Sequence, residues 1–271
     1  MRIQHNINAL NSLRQLGTNN TNTGKNLEKL SSGFRINRAG DDAAGLAISE
    51  KMRAQINGLE MASKNAADGI SLIQTAEGGL NETHAILQRM RELSVQAANG
   101  TNQAEDLSSI DAEIKALTTE VDRIAQSTKF NGISLLDGSL NTTFQIGANN
   151  DAIETVALTV ADMKAATLGL DTLDVTAAGG ATTAIGALDT AISDVSAARA
   201  GLGAMQNRLE HTINNLGVTT ENLTAAESRI RDVDMAKEMM AYTKNNILTQ
   251  AAQAMLAQAN QQPQGVLQLL Q

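Results

Sequence analysis

Apolar side chains recur along most of this chain with a helical period. The longest run reads Ile48, Met52, Ile56, Leu59, Ala62, Ala66, Ile70, Ile73, Ala76, Leu80, Thr83, Leu87, Met90, Leu93 and Ala97. Only Thr83 is polar, and the mean step of about 3.5 residues is that of a left-handed coiled-coil seam rather than a globular helix face. The run predicts one helix about 75 Å long, ending in a left-handed cap at Asn99-Gly100. A second helix opens beyond it, with Asn102 as N-cap and Glu105 completing a capping box. Leu107, Ile110, Ile114, Leu117, Val121 and Ile124 form its buried face, and it ends before Asn131-Gly132. A third heptad run extends from Ile185 to Ile230 through Leu188, Val195, Leu202, Leu209 and Leu216. Three such seams satisfy one another most economically in an antiparallel bundle.

The period changes in the middle. Residues 143–146 and 155–160 alternate and are β-branched, with turn residues 147–151 between them, which predicts a β-hairpin. Residues 172–183, with Gly179-Gly180, read as an irregular tip where an insertion costs little. The two ends resemble each other. Ile3, Ile7, Leu10, Leu13, Leu27 and Leu30 mark a polar-rich helix. Met235, Met239, Met240, Ile247, Leu248, Ala251, Met255 and Ala259 mark a second, expected to stop ahead of Pro263, the single proline. As a pair these helices bury little, so they are expected to stay frayed until a partner completes them. The fold class is therefore mainly α: a long antiparallel coiled-coil helical bundle with a small β-hairpin region.

Composition narrows the chemistry. Forty-two alanines and four aromatics suit long helices better than an aromatic-lined pocket. With no cysteine there is no disulfide, thiol nucleophile or Cys-ligated zinc. His5, His84 and His211 are scattered, which argues against a histidine metal site. No HExxH motif and no nucleophile–base pair occurs, so neither an enzyme nor a cofactor is expected. The stretch from Gly17 to Lys25 has six residues between its glycines and Asn26 where a phosphate loop needs Ser or Thr.

Charge adds an asymmetry. The net −8 combines +5 over residues 1–40 with −13 over the remainder. The basic residues Arg2, Arg14, Lys25, Lys29, Arg35 and Arg38 have only Phe34 among them as an aromatic. They read as a polar helix face with acidic partners elsewhere, so no nucleic acid is expected. Asp41 and Asp42 lie about 100° apart on a helix with no nearby histidine, and read as caps at the positive end of the long helix. No membrane span and no secretory h-region is present, so no membrane contact is expected.

Several blocks carry a family resemblance: LSSGFRINRAGDDAAGLAIS at 30–49, RMRELSVQAANGT at 89–101, TKFNGISLLDG at 128–138 and FQIGAN at 144–149. With MRIQHNINAL at the start and the run from Ser228 through Tyr242 to the terminal VLQLL, the sequence resembles bacterial flagellin. About 140–185 is the less specific part. The resemblance implies terminal helices at 1–45 and 233–271 that form an inner tube (D0). It implies a helical rod at 46–232 (D1), with hairpin and variable tip at about 133–183, and no outer domains. It implies a homo-polymer, the extracellular filament used for swimming, secreted by the type III flagellar route without cleavage. Ile3, Ile7, Leu10, Leu27, Leu30, Phe34, Met239, Ile247, Met255, Leu267, Leu269 and Leu270 would carry assembly.

The family's other partners follow by the same resemblance: the flagellar cap and hook-junction proteins, the export chaperone FliS, and Toll-like receptor 5. For that receptor, Gln88, Arg89, Glu92 and Leu93 match the family patch, with Glu113 on the second helix. The segment from Val266 to Leu270 resembles the one read by cytosolic NAIP sensors. Two rivals make different expectations. A signalling coiled coil would be a stable dimer with ordered ends and no hairpin. A hook–filament junction protein would add a few copies and stop.

Overall fold

The structure is a computed structural model that describes residues 6–269, with side chains for residues 6–262. Five long helices carry the chain: α1 Ile7–Ser32, α2 Ala43–Ala97, α3 Ala104–Ser127, α4 Gly180–Arg231 and α5 Met235–Leu269. Between α3 and α4 lie β1 Lys129–Phe130, β2 Ile133–Ser134, β3 Asn141–Gln145 and β4 Thr155–Thr159. The chain forms two compact units, residues 1–54 with 222–271, and residues 55–221.

In the second unit the heptad runs do what their spacing dictates. Leu188, Val195, Leu202 and Leu209, each seven residues from the last, are buried on α4. Ala66, Ile73, Leu80, Leu87 and Met90 of α2 and Ile110, Ile114 and Val121 of α3 share that core. Thr83, the polar member of the seam, is buried and returns its hydroxyl proton to the Gly79 carbonyl at 3.1 Å. The helices alternate in direction: along α4, Asp189 pairs with Arg91 (2.7 Å) and Arg199 with the earlier Glu77 (3.7 Å), and along α3, Glu113 pairs with Arg89 (3.0 Å) while Thr128 lies by the earlier Gly79. Mainly α with an antiparallel bundle is therefore the observed class.

Several local expectations shift. The α2 stop is not left-handed at Asn99 or Gly100. The N-cap of α3 is Gln103 instead of Asn102, and its N–H donates to Asp106 at 3.1 Å in place of Glu105. Asn102 is occupied elsewhere, donating its side-chain amide to the Gln96 carbonyl at the end of α2. The hairpin forms, with β3 and β4 antiparallel and Phe144 opposite Val156. A second, smaller hairpin at β1–β2 turns through Asn131-Gly132, both with positive φ (49° and 81°). That is the backbone a two-residue primed turn demands and the reason for Asn-Gly there.

The tip is less irregular than its composition suggests. Val160, Met163, Leu168, Leu170, Leu173 and Val175 are buried in the core of this unit. Backbone bonds from Met163 to the Leu136 carbonyl (2.9 Å) and from Ala165 to the Asp122 carboxylate (2.8 Å) hold the segment down. The longest unbroken exposed run of the tip is 176–179, between buried Val175 and Ala181, so the place for a cheap insertion is narrower than 172–183.

In the first unit α1 pairs with α5, and the start of α2 meets the end of α4. Here Ile48, assigned to the seam, is 48% exposed, while Ser49 is buried. The reason is the loop after α1. Ile36 is buried against Gly45, where a Cβ would come within 2.8 Å of its Cδ1, so the Gly45–Ser49 face is the one covered. Asp42 caps α2 by accepting from the Gly45 N–H at 2.8 Å. The helix α5 does not stop before Pro263 but continues through it to Leu269.

Candidate assembly and receptor surfaces

The first unit places polar residues where an ordinary helical pair places leucines. On α1 the positions turned towards α5 are Asn6, Ala9, Ser12, Leu16, Asn19, Thr23 and Asn26, all buried or half-buried at steps of three and four. On α5 the matching positions are Glu238, Tyr242, Asn245, Thr249, Ala252, Leu256 and Ala259. Asn19 is 6% exposed. Asn6 donates to the Ala259 carbonyl at 2.7 Å. With its amide turned so that both ends are satisfied, the Asn26 side chain donates to Glu238 Oε1 at 3.0 Å and accepts from Asn245 Nδ2 at 3.0 Å. The two helices run antiparallel along this small, polar seam.

Apart from Leu16 and Leu256, the large apolar side chains face away from it. Ile7, Leu10, Leu13 and Leu27 of α1 are exposed, as are Met235, Met239, Met240, Ile247, Leu248 and Met255 of α5. An amphipathic helix normally covers that stripe and exposes its polar face; here the arrangement is inverted. Of the expected assembly residues, Ile7, Leu10, Leu27, Met239, Ile247 and Met255 are thus exposed, and Leu30 is half-buried. Ile3 and Leu270 lie outside the described residues, as do the side chains of Leu267 and Leu269.

Phe34 occupies a different setting within the same unit. A short antiparallel bridge joins Phe34 to Asp232, with the Arg35 N–H donating to the Arg231 carbonyl at 2.7 Å and the Val233 N–H to that of Gly33 at 3.0 Å. The Phe34 ring has the Arg231 guanidinium 4.8 Å and the Arg53 guanidinium 6.0 Å from its centroid. Each arginine also has a carboxylate, Glu50 at 2.6 Å for Arg231 and Glu227 at 3.2 Å for Arg53. Phe34 is therefore the centre of a cation–π clamp, half-buried instead of outward. Sequence reading did not find this clamp or the asparagine seam. Only the heptad step from Asn19 to Asn26 hinted at the seam, and nothing in it says what that face meets; the clamp joins residues almost 200 positions apart.

In the second unit α2 and α3 bring Gln88, Arg89, Glu92 and Glu113 together on the surface. Arg89 donates to Glu113 at 3.0 and 3.2 Å and to Glu92 at 3.3 Å. Its hydrogen bonds to Glu113, then to Glu92, raise its pKa further above the ordinary guanidinium value. All three side chains are solvated, so the triad organises charge and contributes little stability. Gln88 meets the His84 ring at 3.0 Å. Leu93 departs from expectation. At 2% exposed it belongs to the core of this unit, because its α2 position lies on the seam, and it has no side-chain surface for a receptor.

Two family descriptions match nearly all of these elements: the bacterial flagellin N-terminal helical region over residues 3–141, and the bacterial flagellin C-terminal helical region over 185–270. This chain belongs to the bacterial flagellin family. The flagellin of Bacillus subtilis (strain 168) is 61% identical, with all of both chains covered. That of Halalkalibacterium halodurans is 58% identical over 271 residues, again with full coverage of each. The crystal structure of Bacillus cereus flagellin matches 60% of this chain and 94% of its own, at 37% identity and a TM-score of 0.50. As a flagellin the chain is a structural subunit of the extracellular flagellar filament and not an enzyme.

Proposed function

We propose that the chain elongates its filament through the terminal helices, which become ordered as each copy adds. Residues 1–45 and 233–271 are the D0 segment and 46–232 the D1 segment in this reading. The observation that supports it is the inverted terminal hairpin, polar within and apolar without. Each large apolar side chain covered by a neighbouring subunit contributes up to about 1.5–3 kcal/mol. A helical filament presents one such patch per copy in an interface that never closes. The cap, the hook-junction proteins and the export chaperone FliS meet the same ends, and unfolded type III export delivers the chain to them.

Seeded assembly of the full chain at neutral pH, followed by negative-stain electron microscopy, tests this. Long filaments are expected, and soluble chain should be trimmed by protease to a core near 45–232. A chain lacking 236–271 should remain soluble and never elongate; filaments from it overturn the reading.

A second reading is recognition by Toll-like receptor 5 through Gln88, Arg89, Glu92 and Glu113. Its support is the exposed arginine held between two carboxylates, with the composition of an interface hot spot. Arg89→Ala should weaken receptor binding roughly thirtyfold, and an unchanged Kd removes Arg89 from the contact. NAIP recognition is assigned to Val266–Leu270 on the resemblance of that segment alone.

A further inference from the structure

Pro263 has no N–H, so within α5 the Ala259 carbonyl one turn before it has no helical donor. Asn6 donates its Nδ2 to that oxygen at 2.7 Å, where Ala259 is buried. The other atom of the same amide, Oδ1, accepts from the Ala9 N–H at 3.1 Å and caps α1. One side chain thus starts α1 and docks it on α5. The docking point is unique, because this is the chain's single proline and the preceding carbonyls of α5 have an N–H four residues on. A slip of one heptad would set Asn6 against an oxygen already bonded and leave the Ala259 oxygen buried without a donor, which is costly.

The opposite end has its own pin. Twenty residues along α1, about 30 Å, Asn26 bonds Glu238 and Asn245 of α5. Between the pins the seam holds Ala9, Ser12, Asn19 and Thr23 with one leucine from each helix, Leu16 and Leu256, and a buried asparagine such as Asn19 fixes register where a wholly apolar seam slides with little loss. In this register Met255 shares a groove with Asn8, Asn11 and Ser12.

We propose that Asn6 and the Ala259 carbonyl freed by Pro263, backed by Asn26, set the register of α1 on α5. They thereby decide which outward side chains form one stripe for a second copy of the chain. The role of that stripe rests on the assembly reading above. Asn6 and Asn26 are positioning residues: they act through the stripe and need not touch the neighbour.

Asn6→Asp is the discriminating variant, since aspartate keeps the cap oxygen and removes the donor. With no native cysteine, introduced pairs report register cleanly. Ser12→Cys with Met255→Cys probes the native register, and Ser12→Cys with Leu248→Cys probes a slip of one heptad. Crosslinking is measured on seeded filaments and, since the ends order only on assembly in the reading above, on the soluble full chain with trimethylamine N-oxide added to favour the compact hairpin. Native pairing should dominate in the parent. Asn6→Asp should cut that dominance about tenfold and slow elongation, with helix content by circular dichroism unchanged. Undiminished preference for Met255 overturns the proposal.

Pro263→Ala is the second variant. It gives the Ala259 oxygen a helical donor and leaves Asn6 intact. It should gain helix yet lose register preference, whereas a purely structural role predicts helix gain and faster growth. If the parent never elongates, the assembly reading fails, while the crosslinking preference still decides the pin.

Discussion

Asp41 and Asp42 are adjacent, and the fold gives them separate tasks. Asp42 caps α2, while Asp41 accepts from the N–H groups of Arg38 and Asn37 at 3.1 and 3.2 Å and closes the loop between α1 and α2. The Arg38 N–H first, then that of Asn37, holds the Asp41 carboxyl below its ordinary value of 3.8. A depressed pKa means that this contribution to stability is present above the unfolded value and is lost as pH falls through the lower folded one. The Arg38 amide resonance should therefore titrate with a midpoint below 3.8, and Asp41→Asn should abolish the titration. A midpoint at or above the ordinary value contradicts the assignment. That Asp42 caps α2 was legible in the sequence, because a short acceptor before an apolar run has few other tasks; Asp41, expected as a second cap, closes the loop instead. Their division of labour needed the loop's path.

At the scale of elements, period determined most of what formed. The heptads of α2, α3 and α4 specify helix, buried face and partners together, which is why those three were legible. Short-range exceptions came from competing hydrogen bonds, as at Asn102, drawn back to Gln96 so that Gln103 starts α3. Residues 160–175 were opaque for another reason. Their leucines lack any period, and only the bundle's surface tells each where to insert.

The contrast at the tip can be tested. A three-residue Gly-Ser insertion between Ala178 and Gly179 should cost less than about 1 kcal/mol, since lengthening an exposed loop adds little closure entropy. The same insertion between Leu173 and Asp174 displaces buried Leu173 or Val175 and should cost at least about 2 kcal/mol, as a truncated core leucine does. Urea denaturation measures both, and equal costs would show that 173–175 are not anchored.

At the scale of the whole molecule, the inverted seam of α1 and α5 separates two kinds of information. The sequence by itself determined the helices, the antiparallel bundle, a hairpin over 143–160 and the surplus of apolar surface at the ends. Each follows from local periodicity, which any chain of this pattern must satisfy. The family blocks supplied the function by resemblance, not by period. Only the tertiary structure decided that asparagines face inward between α1 and α5. It also decided that α5 runs through Pro263 with Asn6 supplying the missing donor, and that Phe34 sits between Arg53 and Arg231. The physical reason is common to all three. A polar group's partner is set by where another segment passes, often two hundred residues away, and no period along one segment encodes that meeting.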